Sequence, residues 1–170
     1  EVDSVIEKAA YFYRWYVDKG TIPYGDHPPS LKHDNNGGNS QCAVFFDLLG
    51  EKEATAYFTR MTLSSYRLRE AGHTGHFFSF QWGAPGAARG GPAAAQSFIK
   101  NTQWFTELER RPDGSSIYQF QLAGSDHGKY RNWSTTGSRL LQHCLPRKKL
   151  YITGKGGSCI SAITGDDLKD

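Results

Sequence analysis

The sequence predicts an all-α fold of three consecutive α/α hairpins followed by a short irregular tail. Three observations predict it. Apolar residues recur at helical spacing in the first helix of each hairpin. The second helix of each is apolar around nearly its whole circumference. Loops bearing Gly or Pro separate the helices, and the order repeats three times. A helix apolar on all sides needs neighbours everywhere, whereas an amphipathic one needs a single covered face. Hairpins stacked side by side therefore put the first kind inside and the second outside, as part of an α/α toroid.

The first amphipathic helix is expected over Val2 to Val17, through Val2, Val5, Ile6, Ala9, Ala10, Tyr13, Tyr16 and Val17, with Gly20 as terminator. A polar loop follows, 21–40, with Pro23, Pro28, Pro29 and Asn35-Asn36-Gly37-Gly38. Gln41 to Leu49 reads as a helix buried all round, ended by Gly50. Glu51 to Arg69 is amphipathic through Ala54, Tyr57, Phe58, Met61, Ser65 and Leu68, and Phe77 to Ala88 is its apolar partner, broken or kinked at Pro85. Pro92 suits the first turn of a third amphipathic helix, which runs to about Arg111 with Phe98, Ile99, Phe105 and Leu108 inward. After the loop 112–132, Ser134 or Thr135 caps a last buried helix through Leu140, Leu141, Cys144 and Leu145, stopped by Pro146.

The hairpins then occupy about 1–50, 51–90 and 91–147, and 148–170 is an irregular tail or linker toward a missing part of the parent protein. The chain opens directly in an amphipathic pattern without Met and is expected to be a piece of a longer one. Its first and last hairpins should expose apolar surface and need the remainder of the parent chain or a partner.

The net charge of +3 is spread among interspersed charges, without the dense basic stripe of a nucleic-acid binder. No apolar run is long enough to span a bilayer, so no membrane partner is expected. Cys42, Cys144 and Cys159 do not make a disulfide framework, and the first two lie among apolar residues as expected buried thiols. Nucleophile elbow, phosphate loop and dinucleotide fingerprint are all missing, and no cofactor is expected. His73 and His76 have the spacing of some metal sites but no third ligand, so no metal is expected either.

If the inner helices run parallel, their leading ends share one face, where N–H groups and helix dipoles favour anions. The loops entering that face carry His33, Asp34, Asn35, Asn36, His73, His76, Asp126, His127 and Trp133. His73 and His76 are the candidate acid/base pair, since imidazole titrates near neutral pH, with Asp34 and Tyr24 assisting. His33, Asn36, Trp133, Tyr118 and His127 are the candidate substrate-binding residues, the aromatic ones offering flat faces to sugar rings. The plainer alternative makes the histidines helix caps, Asp34-Asn35-Asn36 a turn and Asp113-Gly114 another. Trp15 and Trp104 read as packing residues, and Trp82 as core or cavity lining.

The stretches YGDHPPSLKHDNNGGNSQCAVFFDLLG, REAGHTGHFFSFQWGAPGAARGGP and RRPDGSSIYQF with NWSTTGSRLLQHCLPRKKLYITGKG resemble an uncharacterised bacterial domain-of-unknown-function family. The resemblance covers roughly Tyr24 to Gly156, with Gly72-His73-Thr74-Gly75-His76 its most specific block. It implies a long parent protein, often exported and carrying a PDZ-type domain, hence a secreted or periplasmic setting. It brings no assigned reaction. Asp113-Gly114 followed by Trp133-Ser134-Thr135-Thr136 is also similar to repeat loops of terpenoid cyclases and protein prenyltransferases, which build closed α/α barrels, as do many glycoside hydrolases and polysaccharide lyases. The acidic motifs of the cyclases and the zinc set of the prenyltransferases are absent, so the resemblance supports architecture only. The leading functional reading is a ligand-binding module, with catalysis left open, for a polar or anionic carbohydrate at the loop face; any activity would be of a lyase or glycoside-hydrolase kind. A non-catalytic scaffold is the alternative, and a terpenoid or prenyl-substrate enzyme the third.

Overall fold

The structure, a computed structural model, describes residues 1–23, 37–64, 77–118, 133–145 and 157–168. Six helices follow one another: α1 (Val2–Arg14), α2 (Gly38–Leu49), α3 (Lys52–Ser64), α4 (Phe77–Ala88), α5 (Pro92–Glu109) and α6 (Thr136–Cys144). Among the described residues there is no strand, and the bridges Arg110–Ser116 and Ile117–Ser134 stand isolated. The fold is all-α, as the periodicity predicts.

α4 is the hub, touching α2, α3, α5 and α6. Its composition explains why. Gly86 lets the backbone of α2 approach so closely that an added Cβ would sit 2.8 Å from Ser40 Cα, and at Gly83 one would meet the Phe98 ring of α5 at 2.3 Å. Phe80 stacks on Phe105 at 4.3 Å on the α5 side. Burying each such ring contributes about 1.5–3 kcal/mol. Phe46 and Phe58 stack at 5.6 Å between α2 and α3, and Ser40 Oγ and Thr62 Oγ1 pair at 3.1 Å farther along, so these helices are antiparallel. A core of Ala10, Tyr16, Ile22, Cys42, Ala43, Phe46, Ala54 and Phe58 joins α1 to them.

Several local expectations need correction. Pro85 does not break α4, which stays helical through it. The carbonyl that loses its partner belongs to Gln81, which is exposed, and the Pro85 carbonyl accepts a bond from Arg89 Nε at 3.2 Å. α1 ends at Arg14, and the chain turns through Asp18, whose φ is +62°, well before Gly20. α6 is not buried all round: its buried residues are Arg139 and Gln142, while Leu140 is 62% exposed and Cys144 is exposed. Among the described residues its covered side is the one that turns Gln142 to α4 and Arg139 to the end of α5. Leu108 is likewise exposed, and Trp15 and Trp104 stand half out of the surface instead of packing inward. Thr135 occupies the cap position of α6, but its hydroxyl is directed elsewhere.

Residues 157–168 are irregular and lie against α2, α3 and the turn after α4. The Ile163 N–H donates to the Gly90 carbonyl at 2.8 Å, and the Ile163 side chain is buried. The predicted strand-like stretch at Leu150 to Ile152 falls outside the described residues.

Candidate functional site

The leading ends of α2, α4 and α6 meet at one pole. Gly37, in the left-handed conformation at φ +82°, lets the start of α2 lie against α4, where an added Cβ would be 3.1 Å from Ser79 Cα and 3.2 Å from the Phe78 carbonyl oxygen. Trp133, immediately ahead of α6, sets its ring edge-on to Phe77 at 4.9 Å and to Phe78 at 6.4 Å. Farther along, Gln142 Nε2 donates to the Phe80 carbonyl at 3.2 Å and Leu145 packs against the cluster of Ala84, Ala87 and Phe98, so α4 and α6 run the same way. None of the three helices has an acidic residue in its first turn; α5 has none either, whereas α1 has Asp3 and α3 has Glu53. The positive ends of three helix dipoles are thus left without a carboxylate of their own helix.

Of the residues singled out from the sequence, Trp133 sits at this pole and is 40% exposed. Tyr118 lies beneath it, fully buried among Phe77, Phe80 and Phe105, so its ring is part of the rim's footing and does not face solvent. The Tyr118 N–H donates to the Trp133 carbonyl at 2.9 Å. Tyr24, His33, Asp34, Asn36, His73, His76 and His127 lie outside the described residues, as do Asn35 and Asp126. Among the described residues no group of His, Cys, Asp and Glu is placed to hold a metal ion. Asp113 is a turn residue: its Oδ1 accepts the Ser115 N–H at 2.9 Å and the Ser115 hydroxyl at 2.7 Å, which hold its carboxyl below the usual carboxylate range.

Two charged clusters escaped the sequence reading. Glu109, at the end of α5, is fully buried and faces Arg139 of α6. Its Oε2 accepts from Arg139 Nε at 2.7 Å, from Arg139 Nη2 and from the Thr135 hydroxyl at 3.0 Å. Arg139 also covers the Phe80 ring, 5.3 Å from its centroid. Burial pushes the Glu109 carboxyl above its ordinary range and the Arg139 guanidinium below its own, each against the attraction of the other.

The second cluster surrounds Asp47, buried near the end of α2. It accepts from Arg89 Nη1 at 2.9 Å, the Ser158 hydroxyl at 2.8 Å and the Cys159 N–H at 2.6 Å. Burial alone would raise the Asp47 carboxyl, but these donors together hold it below the ordinary value. The signal in the sequence was a lone carboxylate in the apolar run CAVFFDLL. An acid on a helix buried on most sides must be paired.

An open groove between the end of α1 and the start of α3, lined by Arg14, Val17, Asp18, Glu51, Lys52, Glu53 and Ala54, lies at the pole opposite the rim. Arg14 and Glu51 pair across it at 2.5 Å. No described helix is long and apolar enough to cross a membrane. No curated protein and no solved structure matches the chain. The model of one family does match it, over residues 1–154, and the chain therefore belongs to the domain-of-unknown-function family DUF6288.

Proposed function

We propose that the hairpins form part of an α/α toroid whose rim, at the leading ends of α2, α4 and α6, binds a polar or anionic carbohydrate. The observation that carries this reading is the meeting of three helix starts free of acidic first-turn residues beside the half-exposed ring of Trp133. Backbone N–H groups and aligned dipoles at such ends favour carboxylates and other anions. An indole offers the flat apolar face on which a pyranose stacks.

Covalent continuity brings in the remaining candidates. His76 precedes Phe77 by one peptide bond and His73 by four; His33 and Asp34 lie four and three residues ahead of Gly37. Since a chain spans at most about 3.6 Å per residue, these groups are tethered to the rim. In the proposal His73 and His76 exchange protons with the ligand, Asp34 and Tyr24 orient it, and His33, Asn36 and His127 line its approach, with Tyr118 supporting Trp133 from below. The chemistry suits a lyase or a hydrolase. The family resemblance adds a bacterial, secreted or periplasmic setting to the same proposal.

The test is calorimetric titration of neutral and uronate-containing oligosaccharides into the wild type, Trp133→Ala and His73→Ala/His76→Ala. Binding to the wild type that weakens at least about tenfold in Trp133→Ala is expected, since a stacked ring is worth on the order of 1–3 kcal/mol. Equal binding by all three proteins, or by none, would remove the rim as a carbohydrate site. A second reading, a scaffold that presents surfaces to other domains, is favoured by the exposed apolar side chains Val2, Val5, Leu108 and Leu140 on the flanking hairpins.

A further inference from the structure

The Glu109–Arg139 pair is a feature that packing does not require. A buried ion pair can often be replaced by apolar side chains of similar volume without loss of stability. Among the described residues this one also leaves Glu109 Oε1 and Arg139 Nη1 buried without a hydrogen-bond partner. Its cost is unexplained unless the pair holds something that a hydrocarbon could not.

What it holds is the approach to the rim. The Glu109 carboxylate accepts the Thr135 hydroxyl at 3.0 Å, and the Glu109 carbonyl accepts the Ile117 N–H at 2.9 Å. Both segments that carry the rim aromatics, 116–118 and 133–135, are thereby fastened to one residue at the end of α5. They are fastened to each other as well: the Thr135 N–H donates to the Ser116 carbonyl and the Tyr118 N–H to the Trp133 carbonyl, each at 2.9 Å. Thr135 gives up its place as a side-chain cap of α6 for this bond. Arg139 then fixes the direction of the carboxylate from within the same helix, one turn farther on.

We propose that Glu109 and Arg139 are positioning residues for the rim, setting Trp133 and Tyr118 in place for the ligand. The inference rests on the ligand-binding reading of that pole and names the device that organises it. Leucine at both positions would fill the same space and spare the two unpartnered atoms, but would release Thr135. The rim would then loosen while the core stays closed.

The experiment follows Trp133 alone. Trp15, Trp82 and Trp104 are each at least 39% exposed, so phenylalanine at those three positions leaves one fluorophore. In that background the parent, Glu109→Gln and Glu109→Leu/Arg139→Leu are compared by melting temperature, acrylamide quenching and amide hydrogen exchange. The Leu/Leu protein should melt at or above the parent temperature. Its Trp133 quenching should rise about twofold and exchange at Tyr118 and Thr135 about tenfold, with Phe98 unchanged, as expected of local opening without global unfolding. Glu109→Gln, which keeps the shape and a weaker acceptor, should fall between, and it decides alone if the Leu/Leu chain does not fold. A folded variant whose Trp133 quenching and amide exchange equal the parent's overturns the proposal. Neither readout needs a ligand. Failure of every oligosaccharide to bind therefore counts against the carbohydrate reading and leaves this result standing on its own measurement.

Discussion

Thr59 carries its hydroxyl into the core, fully buried and without a partner among the described residues, on the side of α3 that meets Gly90. An unsatisfied buried hydroxyl costs free energy that a methyl group of the same shape does not. Thr59→Val should therefore raise stability by about 0.5–1 kcal/mol, read as a higher denaturation midpoint with unchanged slope. Asp47 is the opposite case. Its three donors make ionisation favourable in the folded state, so Asp47→Asn should cost about 1.5–3 kcal/mol at neutral pH. The folded carboxyl titrates below its ordinary value of 3.8. Its contribution is therefore complete above that value and disappears as pH falls through the lower folded one. The melting difference between wild type and Asp47→Asn should shrink in acid over that range. Glu109 reverses the sign. Its raised folded pKa means that stability is lost as pH rises above the ordinary 4.5 and the buried group must ionise. The melting temperature of wild type minus that of Glu109→Gln should accordingly fall as pH rises from 4.5 through the higher folded value, and a difference that grows instead would show the pair to be net stabilising in its ionised form.

At the level of elements, α4 determines how tightly the layers close. Gly86 places two helix backbones within reach of each other, and its Cβ would meet main chain, which cannot rotate away. Gly86→Ala should cost about 1–3 kcal/mol, measured by denaturant unfolding. Helix α4 was also the element most legible in the sequence, since Phe77 to Ala88 is apolar on nearly all sides and is helical throughout. Of the break or kink expected at Pro85 the break does not occur, the carbonyl without its partner lying on exposed Gln81. Helix α6 was less legible. Leu140, Leu141 and Cys144 suggested an interior helix, yet Arg139 and Gln142 face inward to meet Glu109 and the Phe80 carbonyl. Periodicity counts apolar residues and is blind to a polar side chain whose partner is distant in sequence. Glu109 and Arg139, thirty positions apart, could not be recognised as a pair from spacing.

For the molecule as a whole, the all-α class could be read because hydrophobic patterning records which helix faces are covered, whereas the interior place expected for α6 is not what the structure shows. The candidate rim could be read only as a direction: Trp133 stands on it, Tyr118 lies under it, and the loop histidines fall outside the described residues. Both flanks expose apolar side chains, Val5 at 66% and Leu140 at 62%. Val5→Lys/Leu140→Lys should change stability by no more than about 0.5 kcal/mol per site, because neither residue is packed. Light scattering should show less self-association in the double variant than in the parent. Asp47 bears on the choice of a boundary for expression. The family match stops at 154, whereas Ser158 and Cys159 supply two of its donors and Ile163 roofs Gly90. A protein trimmed to the family limits would leave that carboxylate short of two donors and uncap the trailing pole, so a workable truncation must extend past Ile163.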